Sequence, residues 1–155
     1  MQARLSIRAH PRALRRVRRF VAAFGAARGL GRAEEARITI LIEELLTNLI
    51  RHGHFRHSRP RHVQVTLALA AQRVTLTFAD DGPPFDPFRG AGADLEAPLE
   101  RRPLGQLGIH ILRGLADEFS YRRASGRNMV EIVRRIGWRR GQGVALTRAA
   151  PRAGF

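Results

Sequence analysis

The 155-residue sequence contains no cysteine and no lysine. The first absence rules out disulfides, thiolate catalysis and cysteine-ligated zinc. The second rules out phosphate sites built on a lysine, such as the P-loop and the protein-kinase fold. All 28 basic residues are therefore arginine, against 13 acids, for a formal net charge of +15. That balance points to an acidic partner, to nucleic acid, or simply to a solvated arginine-rich surface. Aromatics make up only 6% and do not interleave with the arginine runs, as base-stacking platforms would. No apolar run reaches the roughly 20 residues of a membrane span. The apolar stretch 20–27 is cut short by Arg28 with no cleavage site after it, which argues against a secretion signal.

What the chain does have is a 44% hydrophobic content arranged in periods. Gln2–Ala9 alternates and reads as a strand. Arg12–Ala27 and Ala33–Arg51 carry apolar residues at helical spacing, the second through Ile38, Leu41, Ile42, Leu45 and Leu49. His62–Ala70 and Gln72–Ala79 alternate and form a hairpin. Asp81–Pro103 has no period and is rich in Gly and Pro, and a loop that long in a compact domain is usually functional. Leu104–Ala116 returns to helix, and Glu118–Arg123 and Asn128–Ile136 form a second hairpin across "ASGR". Helices segregate from antiparallel strands, which predicts an α+β fold, a two-layer sandwich with helices on one face of the sheet. One domain over 1–136 is expected, with 137–155, rich in Gly, Arg, Ala and Pro, as a flexible basic tail.

Three stretches carry candidate chemistry. "IEELLTNLIRHG" places Glu44 and Asn48 one turn apart on the second helix. An Asn oxygen suits Mg2+, and a neighbouring carboxylate suits a base. Alone, the pair fits a wet helix edge better. "TFADDGPPFDP" puts Asp80 at a strand end, where a carboxylate can accept from an exocyclic amine, with Gly82 allowing close approach of a flat ring. A strand-ending turn reads the same way. "RPLGQLGIHILRGLAD" puts Gly105 and Gly108 at a helix mouth, where free N–H groups attract anions, with Arg101 and Arg102 just before it. A glycine hinge at a helix start is the plainer reading. His52, His54, His57 and His62 lack the carboxylate or thiolate partners of a metal cluster and read as a polar turn.

In this order, on this chain of elements, the three stretches resemble the N, G1 and G2 boxes of the Bergerat or GHKL ATP-binding domain. The resemblance is nearest to bacterial anti-sigma-factor serine kinases, which share "HG" after the N box, "FDP" after G1 and a final "GRN" hairpin. It covers roughly Leu5 to Arg135. The sequence departs from the pattern at Pro84 and Gln106, where glycines are usual. The resemblance implies a mixed, mostly antiparallel sheet, and ATP and Mg2+ as cofactors. It makes Asn48 the metal ligand, Glu44 the catalytic base, Asp80 and Gly82 the adenine contacts, and Gly105 and Gly108 the phosphate contacts. It further implies a cytoplasmic serine/threonine kinase that phosphorylates a STAS-domain anti-anti-sigma protein, sequesters a sigma factor and forms a homodimer. A non-catalytic ATP-dependent binding module is the alternative. Direct nucleic-acid binding, suggested by charge alone, is weaker because most of the arginines lie outside the three motifs.

Overall fold

The computed structural model describes residues 2–52, 61–88 and 106–136. In chain order the elements are β1 (Gln2–Arg8), α1 (Ala13–Ala26), α2 (Arg32–His52), β2 (His62–Ala70), β3 (Arg73–Asp80), α3 (Gln106–Leu115), β4 (Glu118–Ala124) and β5 (Arg127–Arg135). Every element read from the sequence is present, with ends moved by one or two residues. The proposed tail at 137–155 lies outside the described residues.

The five strands form one sheet in the order β1-β2-β3-β5-β4. All four pairings are antiparallel, so the parallel pairing of a mixed sheet is absent among the described residues. The reason is topological. The β3–α3–β4 crossover brings β4 back parallel to β3, but β5 folds in between them. Both hairpins turn on two residues at positive φ, Ala71–Gln72 (46° and 59°) and Ser125–Gly126 (49° and 73°). That geometry matches the right-handed strand twist.

Register carries the alternation of each strand across the whole sheet. Leu5, Val65, Phe78, Val130 and Tyr121 stand in one row, and Ala3, Leu67, Leu76, Ile132 and Phe119 in the next. Apart from exposed Phe119 at the β4 edge, these rows pack into the core with Val17, Val21 and Phe24 of α1, Ile38, Leu41, Ile42 and Leu46 of α2, and Leu112 of α3. The other face carries mainly polar residues such as Arg4, Gln64, Thr66, Thr77 and Glu131. Slipping any strand by one residue would exchange the two faces, which is why the alternation fixes the register.

Glu34 and Glu35 sit in the first turn of α2, where negative charge complements the helix dipole. Glu34 also pairs with Arg134 of β5 at 3.2 Å, and Arg134 donates to the Leu115 carbonyl at the end of α3. This half-buried link ties α2, α3 and β5 together at the end of the sheet away from the Asp80 turn. No helix of the described residues is long and apolar enough to cross a membrane.

Candidate nucleotide site

The third core row starts apolar and turns polar. Ile7 pairs with Val63, Val63 with Asp80, Asp80 with Asn128, and Asn128 with Arg123. Alternation thus places Asp80 and Asn128 on the buried face, where Phe78 and Val130 are the next inward residues. Above this row lies α2, which contributes Leu45, Asn48 and Leu49 from successive turns. The segment after β3 closes the side with Pro83, Phe85 and Pro87.

The resulting pocket has apolar walls of Leu45, Leu49, Phe78, Val130 and the three loop residues. Its polar groups are Asn48, Asp80 and Asn128. Those three are also the buried polar or charged side chains of the described residues, at 4%, 6% and 2% exposure. Buried polar groups are costly unless satisfied, and here they converge on one cavity.

Asp80 Oδ1 accepts from the Gly82 backbone N–H at 2.7 Å and from Asn128 Nδ2 at 3.0 Å. Burial pushes the Asp80 carboxyl above its ordinary range, and the two donated hydrogen bonds hold it partly back down. The absent side chain of Gly82 leaves room for this arrangement. A β-carbon on it would stand 2.6 Å from Asp80 Oδ1 and 3.6 Å from Leu49.

Glycine also governs the approach of α3. A β-carbon on Gly108 would lie 2.5 Å from Glu44 Oε2 and 3.6 Å from both side-chain amide atoms of Asn48. The α3 backbone therefore rests directly on the Glu44–Asn48 pair. Along α2 the stripe runs from exposed Ile40 through half-buried Glu44 to buried Asn48, so it faces the pocket as it nears the sheet rather than staying wet.

Of the residues singled out in the sequence, the structure brings Glu44, Asn48, Asp80, Gly82 and Gly108 together. Gly105, Arg101, Arg102, His54 and His57 lie outside the described residues. His62 is a β2 residue whose N–H donates to Asp81 Oδ1 at 2.8 Å. No cluster of three or more metal-ligating side chains occurs among the described residues. The donor set still suits Mg2+, which takes one or two protein oxygens and completes its shell with phosphates and water. Asn128 was missed as a site residue. Its signal was its parity, because it is a polar residue in phase with Val130 and Ile132, where the strand alternation calls for an apolar one.

A family profile for the histidine kinase-like ATPase domain matches residues 7–134. The serine/threonine-protein kinase BtrW of Bordetella bronchiseptica is 29% identical over 96 residues, covering 62% of this chain and 67% of that protein. Among solved structures, that of the RsbU and RsbW domains of Rv1364c from Mycobacterium tuberculosis aligns over 87% of this chain with a TM-score of 0.61. At 20% identity that match speaks for the fold alone, and it spans 32% of that chain. The motif order, the α+β sheet and the profile match over most of the sequence agree: the chain belongs to the histidine kinase-like ATPase domain family.

Proposed function

We propose that this chain is an ATP-dependent serine/threonine protein kinase of the anti-sigma type. The observation that carries the reading is the convergence of Asn48, Asp80 and Asn128, the buried polar side chains of the described residues, on one apolar pocket. A flat, mostly apolar base with a few hydrogen-bonding edges fits such a lining. In this reading Asp80 accepts from the adenine amine, Gly82 lies beside the ring, and Gly105 and Gly108 let the α3 backbone approach the phosphates. Mg2+ would be held by the Asn48 oxygen and the ATP phosphates, and would neutralise charge that develops on them. Glu44 receives the proton of the incoming serine hydroxyl. The serine Oγ–P bond forms, the bond from the γ-phosphorus to the β,γ-bridging oxygen breaks, and ADP leaves.

The acceptor in this reading is a serine on a STAS-domain anti-anti-sigma protein. The free chain holds a sigma factor in the cytoplasm. Charge supports a docking face on β1 and α1. Residues 1–33 contain nine arginines and no acid, and Arg4, Arg8, Arg12, Arg15, Arg16 and Arg19 are exposed. Such a face suits an acidic partner. A second copy meeting it two-fold would bring like charges together, so a homodimer would form through another surface. The test is phosphotransfer from γ-labelled ATP to the STAS protein. Labelled phosphoserine supports the kinase, and tight ATP binding without label refutes it.

One observation favours the non-catalytic module. Glu44 packs against the α3 backbone at Gly108 and is not part of the pocket lining. Gly108→Ala probes this contact. Alanine suits a helix better than glycine by about 1 kcal/mol, so the fold should survive. The added methyl crowds the Asn48 amide as well as the Glu44 carboxylate, and with the assigned metal ligand disturbed nucleotide titration should show binding weakened about tenfold. Unchanged binding would mean that the close approach of α3 does not matter to the site.

A further inference from the structure

The Asn128 amide is saturated. Nδ2 donates to Asp80 Oδ1 at 3.0 Å and to the Pro83 carbonyl at 2.8 Å. Oδ1 accepts from the Phe85 N–H at 3.2 Å, the Tyr121 hydroxyl at 2.9 Å and Arg123 Nη1 at 2.9 Å. Both donors are used and three donors converge on the oxygen, so a flipped amide would lose four of the five bonds, the Tyr121 hydroxyl alone being able to reverse its role. Arg123 is locked in turn by the Gly82 and Gly126 carbonyls.

The consequence falls on Asp80. Its Oδ1 already accepts from Asn128 and from Gly82. Its Oδ2 accepts no hydrogen bond from the described residues, although the side chain lines the pocket. We infer that Asn128 is a positioning residue that sharpens base selectivity: by holding Oδ1 it fixes the plane of the Asp80 carboxylate, so Oδ2 is aimed as an acceptor at the base edge and the pocket selects a purine with an amine at position 6. This rests on the nucleotide reading above and adds a residue to it. Asn128 does not touch the base. It acts through Asp80, braced from the edge strand β4 by Tyr121 and Arg123.

The test compares ATP with inosine triphosphate, which carries an oxo group in place of the 6-amine, by equilibrium binding to the full chain. Wild type should prefer ATP by about tenfold or more, since a site built for a donor rejects an analogue lacking it. In Asp80→Asn the amide oxygen must stay on the two internal donors, so the NH2 replaces Oδ2 and the preference inverts towards inosine triphosphate. In the double variant Asp80→Asn with Asn128→Ala the preference should collapse to about threefold or less, because the amide can turn, and in Asn128→Ala the ATP preference should narrow by at least about threefold, because the carboxylate is no longer held in one plane. Arg123→Ala, at an exposed position, should narrow the wild-type preference by about threefold. An undiminished ATP preference in Asn128→Ala, or an ATP preference retained in Asp80→Asn, overturns the inference. If Asn128→Ala does not fold, Asp80→Asn and Arg123→Ala decide. A folded wild type that binds neither nucleotide refutes the nucleotide reading itself, a different result from bound ATP with unaltered selectivity.

Discussion

Asn48→Ala should abolish Mg-ATP binding, with affinity falling at least about a hundredfold, or ~2.7 kcal/mol. The expectation follows from where the side chain stands. Asn48 is 4% exposed, on the pocket side of α2, next to Glu44 and under the α3 backbone at Gly108. Its oxygen is the one side-chain ligand assigned to the metal, and alanine offers no oxygen. The helix itself loses little. Leu45, Leu46 and Leu49 carry the packing around that position, and alanine is the best helix former. The variant should therefore melt within a few degrees of wild type while its calorimetric signal disappears. Retained micromolar binding would show that the metal is held elsewhere or is not needed.

Glu44→Ala should separate binding from chemistry. Removing a positioned general base typically costs about 10²–10⁴ in rate, so phosphoserine formation should fall by that factor. ATP affinity should stay within about threefold, because Glu44 stands beside the pocket without lining it. Single-turnover phosphotransfer, with nucleotide titration in parallel, measures both. Equal loss of binding and transfer would reassign Glu44 to nucleotide positioning. Full transfer activity would remove it from the mechanism. Partner control that survives the substitution unchanged would favour the binding module.

The fold was largely legible because its elements are amphipathic with unmixed periods. Val63, Val65 and Leu67 alternate in β2, and Val74, Leu76 and Phe78 in β3, and the structure pairs Val65 with Phe78 and Leu67 with Leu76. The stripe on α2 was read from Ile38 to Leu49, and those residues are buried. Leu46 was not read into the stripe, yet it is fully buried, since α2 packs against α1 on one side and α3 on the other. The pairing of β5 beside β3 was not legible. Nothing local distinguishes β3-β5-β4 from β3-β4-β5, because that order is decided by which hairpin arm covers the core.

The site was legible in its motifs but not in its joinery. Glu44 and Asn48 announced themselves as polar residues in an apolar helix, and Asp80 as a carboxylate ending a buried strand. The contact of Gly108 with Glu44 joins residues 64 positions apart, counting from 44 to 108. That of Asn128 with Asp80 spans 48. The first comes from helix-on-helix packing and the second from which strands become neighbours, neither of which a single sequence displays. Asn128 carried only the mark of wrong polarity for its phase, a mark shared by any solvated strand end.

Isothermal titration calorimetry of the folded wild-type chain with Mg-ATP tests the central claim, that the pocket of Asn48, Asp80 and Asn128 is an adenine-nucleotide site. One-to-one binding in the micromolar range is the predicted result. A folded chain that shows no binding up to millimolar ATP would contradict it, and would leave the ATPase fold as a scaffold for partner contacts alone.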